Sequence, residues 1–116
     1  MLLVDSITEA IGRGERVVVS GSHGGLSAGR FALESGARVV VFNDAGIGRD
    51  RAGVAALDLL QAHGVAAAAV SHDSARIGEA RSTFEDGIVS CANDAATALG
   101  AAPGLRVRDW LAHVEA

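Results

Sequence analysis

Short apolar runs that stop at polar stretches containing glycine set the pattern of this chain. Val17–Val19 leads into SGSHGG, Arg38–Phe42 into NDAGIGRD, and Ala66–Val70 into SHDSARIG. Each run is apolar at consecutive positions, as strands covered on both faces are. Between the first two runs, a helix is predicted from Leu26 or Ser27 to ESG, with Gly36 as its C-cap. Between the second and third, RDRAGVAALDLLQAHG predicts a helix with Val54, Leu57, Leu60 and Gln61 near one face, ended by Gly64. Strand, loop and helix repeated in this order predict right-handed crossovers around a parallel sheet.

The two ends of the chain are less regular. Residues 4 to 12, VDSITEAIG, place Val4, Ile7 and Ile11 on one helical face, with Asp5 or Ser6 as cap, and predict a short first helix ended by Gly12 and Gly14. EARSTFEDG reads as a short helix or a lid. Ile88 to Ser90 reads as a brief strand running into a helix with Ala92, Ala95, Ala96 and Leu99. After Pro103, LRVRDWLAHVEA predicts a strand or turn and then a short amphipathic helix carrying Trp110, Leu111 and Val114. No linker interrupts residues 1–116, so the expectation is one domain: α/β, a small three-layer Rossmann-like or flavodoxin-like unit with a mostly parallel sheet of four or five strands.

Composition narrows this picture. Hydrophobic residues make up 49% of the chain, yet only three are Phe, one is Trp and none is Tyr, so the core must be built from Val, Ala, Leu and Ile. The many Ala and Gly positions give smooth helix faces that can approach a sheet or a second subunit closely, and a homo-oligomer is expected. A net charge of -4 with no lysine argues against a nucleic-acid partner or an anionic membrane surface. The single cysteine, Cys91, excludes an intrachain disulfide and a cysteine metal cluster. The opening MLLVDSITEA has neither a long apolar run nor the shape of a signal peptide, so a cytoplasmic location is expected.

The candidate chemistry lies in the three loops, because the C-terminal ends of parallel strands share one edge of the sheet and form a crevice there. In the first loop Ser20, Ser22 and His23 offer hydroxyl and imidazole groups. Gly21, Gly24 and Gly25 permit a tight path whose backbone N–H groups suit an oxyanion, carboxylate or phosphate, or simply make a sharp turn. The spacing G-x-x-G-G is not the dinucleotide fingerprint. In the second loop Asn43 and Asp44 precede Gly46 and Gly48. Asp44 accepts a proton, orients His23 or His72, or caps its own loop. In the third loop Ser71, His72, Asp73, Ser74 and Arg76 stand close together, followed by Glu79, Arg81 and Glu85. His72 suits a general base, and Arg76 or Arg81 suits a substrate carboxylate; the competing reading is an internal network of salt bridges and caps.

The serines do not sit in G-x-S-x-G, Cys91 reads first as a small buried hydrophobe, and His63 and His113 read as helix-end residues. No spacing matches a recognised zinc site. The functional expectation is a small-molecule enzyme acting on a polar, carboxylate- or carbonyl-bearing metabolite by acid/base chemistry, with hydrolysis one form of it. His23, His72 and Asp44 are its catalytic candidates, and no cofactor or metal is called for. The alternative is a non-catalytic ligand- or nucleotide-binding regulatory module whose partner is a small anionic or polar molecule.

Overall fold

The three apolar runs form the centre of a five-stranded sheet in the computed structural model, which describes residues 1–115. The strands are β1 (Leu2–Val4), β2 (Val17–His23), β3 (Val39–Asn43), β4 (Ala66–Val70) and β5 (Val89–Ala92). They lie side by side in the order of the sequence, β1 to β4 parallel and β5 antiparallel to β4. The helices are α1 (Leu26–Ser35), α2 (Ala55–Ala62), α3 (Ala80–Asp86), α4 (Asp94–Ala98) and α5 (Val107–Val114), with 3-10 turns at Ile7–Ala10 and Arg49–Val54. This is the expected Rossmann-like, mostly parallel α/β architecture. The last residue of the predicted terminal helix segment, 116, lies outside the described residues.

Alternation along the strands divides the core into two layers. Val18, Val40, Phe42, Ala67 and Ala69 face Ala28 and Ala32 of α1 and Leu57 and Leu60 of α2. Val17, Val19, Val41, Ala68 and Val70 face the opposite layer, where Val107, Trp110 and Leu111 of α5 pack. The small side chains do what composition implied: a Cβ added at Gly29 of α1 would meet the Cβ of Ala56 at 3.0 Å, so the two helices approach on nearly bare backbone.

The start of the chain departs from the expected helix over residues 4 to 12. Leu2–Val4 instead pairs in parallel with β2, Leu3 opposite Val19, and only Ile7–Ala10 turns, as a 3-10 segment that buries Ile7 and Ala10. One helical turn is too short to stand by its own hydrogen bonds, whereas three residues in a strand gain a ready-made ladder. β2 also runs four residues beyond Val19, through Ser20 to His23, where a loop was expected. The glycine in that stretch serves close approach. A Cβ on Gly21 would collide with backbone at Gly78 and Glu79, and the Gly21 carbonyl accepts a hydrogen bond from Gly78 N at 2.7 Å.

Candidate functional site

The C-terminal ends of β2, β3 and β4 do lie side by side. His23 is opposite Asn43, and Asn43 is opposite Val70, the residue before Ser71 and His72. Two of the three loops meet through Asp44. Its carboxylate is nearly fully buried, and three donors hold it. Oδ1 accepts from Gly46 N at 2.8 Å and from His72 N at 3.0 Å, and Oδ2 accepts from Ser90 Oγ at 2.7 Å. The His72 ring stands above this carboxylate, Nδ1 3.5 Å from Asp44 Oδ1 and Nε2 3.3 Å from Asp73 Oδ1. The side chains of Asp44 and His72 are 5% and 52% exposed, so a buried anion faces an imidazole open to solvent.

The loop behind Asp44 is wound against its preference. Ala45, Ile47, Asp50 and Arg51 have φ of 51°, 68°, 54° and 60°, a region that costs L-residues energy and β-branched ones most. It is closed by Ile47 N donating to Asp44 O at 2.6 Å and by Gly53 N donating to Ile47 O at 2.7 Å. Gly53 has no room for a side chain, since a Cβ there would run into the Asp44 carbonyl. The carboxylate therefore sits on a tightly determined stretch of backbone.

The other candidates are placed as follows. Ser20 is fully buried and donates to the Val41 carbonyl at 2.8 Å. Ser22 Oγ accepts from Ile7 N at 3.0 Å and so holds the 3-10 turn. Asn43 is fully buried, its amide donating to Ala75 O at 3.1 Å and its carbonyl accepting from Ala45 N at 2.8 Å. Gly24 N donates to Asn43 O and Gly24 O accepts from Ala56 N, both at 2.9 Å, while Gly25 is the N-cap of α1. His23 is exposed and rests on Gly25; among the described residues no hydrogen bond or ion pair joins it to Asp44, His72 or Asp73. The first loop is thus tied to the second and third through backbone, Gly24 N to Asn43 O and Gly78 N to Gly21 O, and not through the His23 side chain.

In the third loop, Ser71 and Ser74 bond each other. Ser74 N donates to Ser71 Oγ at 3.2 Å and Ser74 Oγ to Ser71 O at 2.9 Å, and Ser74 Oγ also accepts from Ile88 N at 2.9 Å. Arg76 is 82% exposed, its guanidinium 3.8 Å from Glu79, and Arg81 pairs with Glu85 at 3.4 Å along α3. A shallow groove of about 440 Å3 runs beside His72 and is lined by Asp73, Ser74, Arg76, Ser82 and Asp86.

Ser90 is the member of the site that sequence reasoning missed. It reaches Asp44 because β5 returns antiparallel beside β4, with Val89 opposite Val70, a pairing that local pattern does not reveal. Cys91 lies next to it, half-buried against the α1–α2 layer. His63 contacts the Leu59 carbonyl at 3.1 Å, and His113 lies in the last turn of α5. Among the described residues no group of three or more His, Cys, Asp or Glu is placed to hold a metal ion, and no helix is long and apolar enough to cross a membrane.

The fold defines the class: a small Rossmann-like α/β domain of a kind able in principle to bind a small molecule. Compared with known proteins, the chain matches no protein family, no curated protein and no solved structure.

Proposed function

We propose that this chain is a small-molecule enzyme that binds a polar, carboxylate- or carbonyl-bearing metabolite at the C-terminal strand edge and acts on it by acid/base chemistry through His72. The observation that carries this reading is the buried Asp44 carboxylate, fixed by three donors and turned toward His72 Nδ1. With its hydrogen-bond acceptance already committed to Gly46, His72 and Ser90, Asp44 is an orienting group rather than the base. In this reading the ring proton sits on Nδ1, toward Asp44, and Nε2, which lies 3.3 Å from Asp73 Oδ1, swings clear of that exposed carboxylate to take a proton from water or from a carbon next to a carbonyl. The contact of 3.5 Å is longer than a well-formed hydrogen bond and shortens as substrate closes over the ring. Arg76, with Ser74 beside it, takes the substrate's anionic group in the adjoining groove. His23 stands at the far side of the same edge as a second polar contact.

The competing reading, a non-catalytic ligand- or nucleotide-binding module, is favoured by one observation. Among the described residues no hydroxyl or thiol is hydrogen-bonded to the His72 ring as a nucleophile would be. One experiment separates the two. The protein is incubated in D2O with a panel of esters, amides, hydroxy acids and enolisable keto acids, and turnover and deuterium incorporation are followed by proton NMR. The enzyme reading expects at least one compound to react or exchange, with a loss of about 100-fold or more in His72→Gln. Saturable binding without reaction or exchange would transfer the site to the second reading, and a rate unchanged in His72→Gln would remove His72 from the mechanism. The same proposal takes the chain as a homo-oligomer, because Leu3, Leu26, Phe31 and Leu105 stay exposed on a chain with little apolar bulk of its own.

A further inference from the structure

A second cavity lies at the opposite edge of the sheet from His72. Where β2, β3 and β4 begin, the layer formed by α4 and α5 leaves a groove of about 890 Å3. Its floor is apolar: Val17, Val39 and Ala66 are the first residues of the three strands and point into the α5-side core. Its walls are Ala98 and Leu99 at the end of α4 and Val114 at the end of α5, with Leu99 well exposed. The volume exists because Gly14, Gly64 and the alanines contribute no bulk, and it falls in the range of small-ligand sites.

Charge at the mouth of the groove is unevenly satisfied. The Met1 ammonium lies 3.7 Å from Glu15 and 3.6 Å from Glu115, one positive charge shared between two carboxylates. Arg16 and Arg38 also line the groove and are exposed, and neither guanidinium has an ion pair or hydrogen bond among the described residues. The two are neighbours by construction, since the Arg16 carbonyl accepts from both Arg38 N and Val39 N, at 2.8 and 3.0 Å. An apolar floor beside two guanidinium forks that pair with none of the described residues matches a molecule with the same division: a hydrocarbon body and one carboxylate.

We propose that this groove is a binding site for a small amphiphilic carboxylate, its apolar body on Val17, Val39 and Ala66 and its carboxylate held by Arg16 and Arg38. The site is independent of the Asp44–His72 edge and stands whether or not that edge is catalytic.

Titration of the full chain with octanoate, followed by amide chemical shifts, tests the proposal. Saturable shifts are expected at Val17, Val39, Ala66 and Ala98, with His72 and Asp73 unmoved. Octanamide, with the same chain length and no charge, is expected to bind about tenfold or more weakly, as is octanoate to the Arg16→Gln, Arg38→Gln double variant. Ala98→Phe, at an exposed position, fills the groove and abolishes the shifts. Three results would overturn the proposal: no shifts in these residues up to the solubility of octanoate, equal binding of octanamide, or shifts centred on the His72 edge. Should the double variant not fold, the octanoate–octanamide comparison decides alone.

Discussion

Asp44 shows how much one side chain can organise. Its two oxygens tie β3 to its own loop, to the β4 loop and to β5. Ser90→Ala removes the donor to a carboxylate oxygen that is nearly sealed from water, and leaving such an acceptor unmet costs about 1–2 kcal/mol. Urea unfolding is expected to show that loss, and the amide of His72 to shift, although residue 90 never touches it. Asp44 and His72 were legible as candidates in the sequence because polar residues directly after an apolar strand land on the sheet edge. Ser90 was not, since its relevance depends on the return of β5. The hydroxyl of Ser20 is spent on the Val41 carbonyl inside the sheet and the amide of Asn43 on backbone of the next two loops, a use that sequence cannot separate from a role in binding. Gly53 carries a sharper expectation. Gly53→Ala drives a methyl into the Asp44 carbonyl and should destabilise the fold by about 1–3 kcal/mol, with the strained loop of residues 45–51 displaced in the amide spectrum.

At the level of elements, the three strand, loop and helix units stand close to where apolar runs and glycine stops placed them. α1 ends at Gly36 in the left-handed conformation, as its C-cap reading required. The first element differs because Val4, Ile7 and Ile11 match a helical face too briefly to outweigh a strand ladder with β2. α5 caps the second core layer of the sheet. Trp110 is almost wholly buried there, and its indole N–H donates to the Leu99 carbonyl at 3.1 Å, which fastens α5 to the end of α4. With so few aromatic residues elsewhere, Trp110→Ala should cost about 3–5 kcal/mol in denaturant unfolding. A loss below about 1 kcal/mol would mean that α5 is not part of the cooperative core.

For the whole molecule, the decisive feature is strand order. Because β1 to β5 lie in the order of the sequence, the loops after β2, β3 and β4 are neighbours, and the starts of the same strands are neighbours at the other edge. Local patterns supplied the elements and the loops but not that order, nor the groove it leaves between Arg16, Arg38 and α4. At this scale the exposed apolar residues predict self-association. Sedimentation equilibrium should give a multiple of the monomer mass, and a monomer at the highest attainable concentration would leave Leu3 and Phe31 as ordinary surface residues.

The proposed chemistry turns on Asp44 holding the His72 ring, and the tautomer of that ring reports it without any substrate. Long-range proton–nitrogen NMR of the histidine side chains should find neutral His72 as the Nδ1–H form, and Asp44→Asn should shift it away from that form. A wild-type ring protonated at Nε2, facing Asp73 instead, or a ring indifferent to Asp44→Asn, would contradict the account.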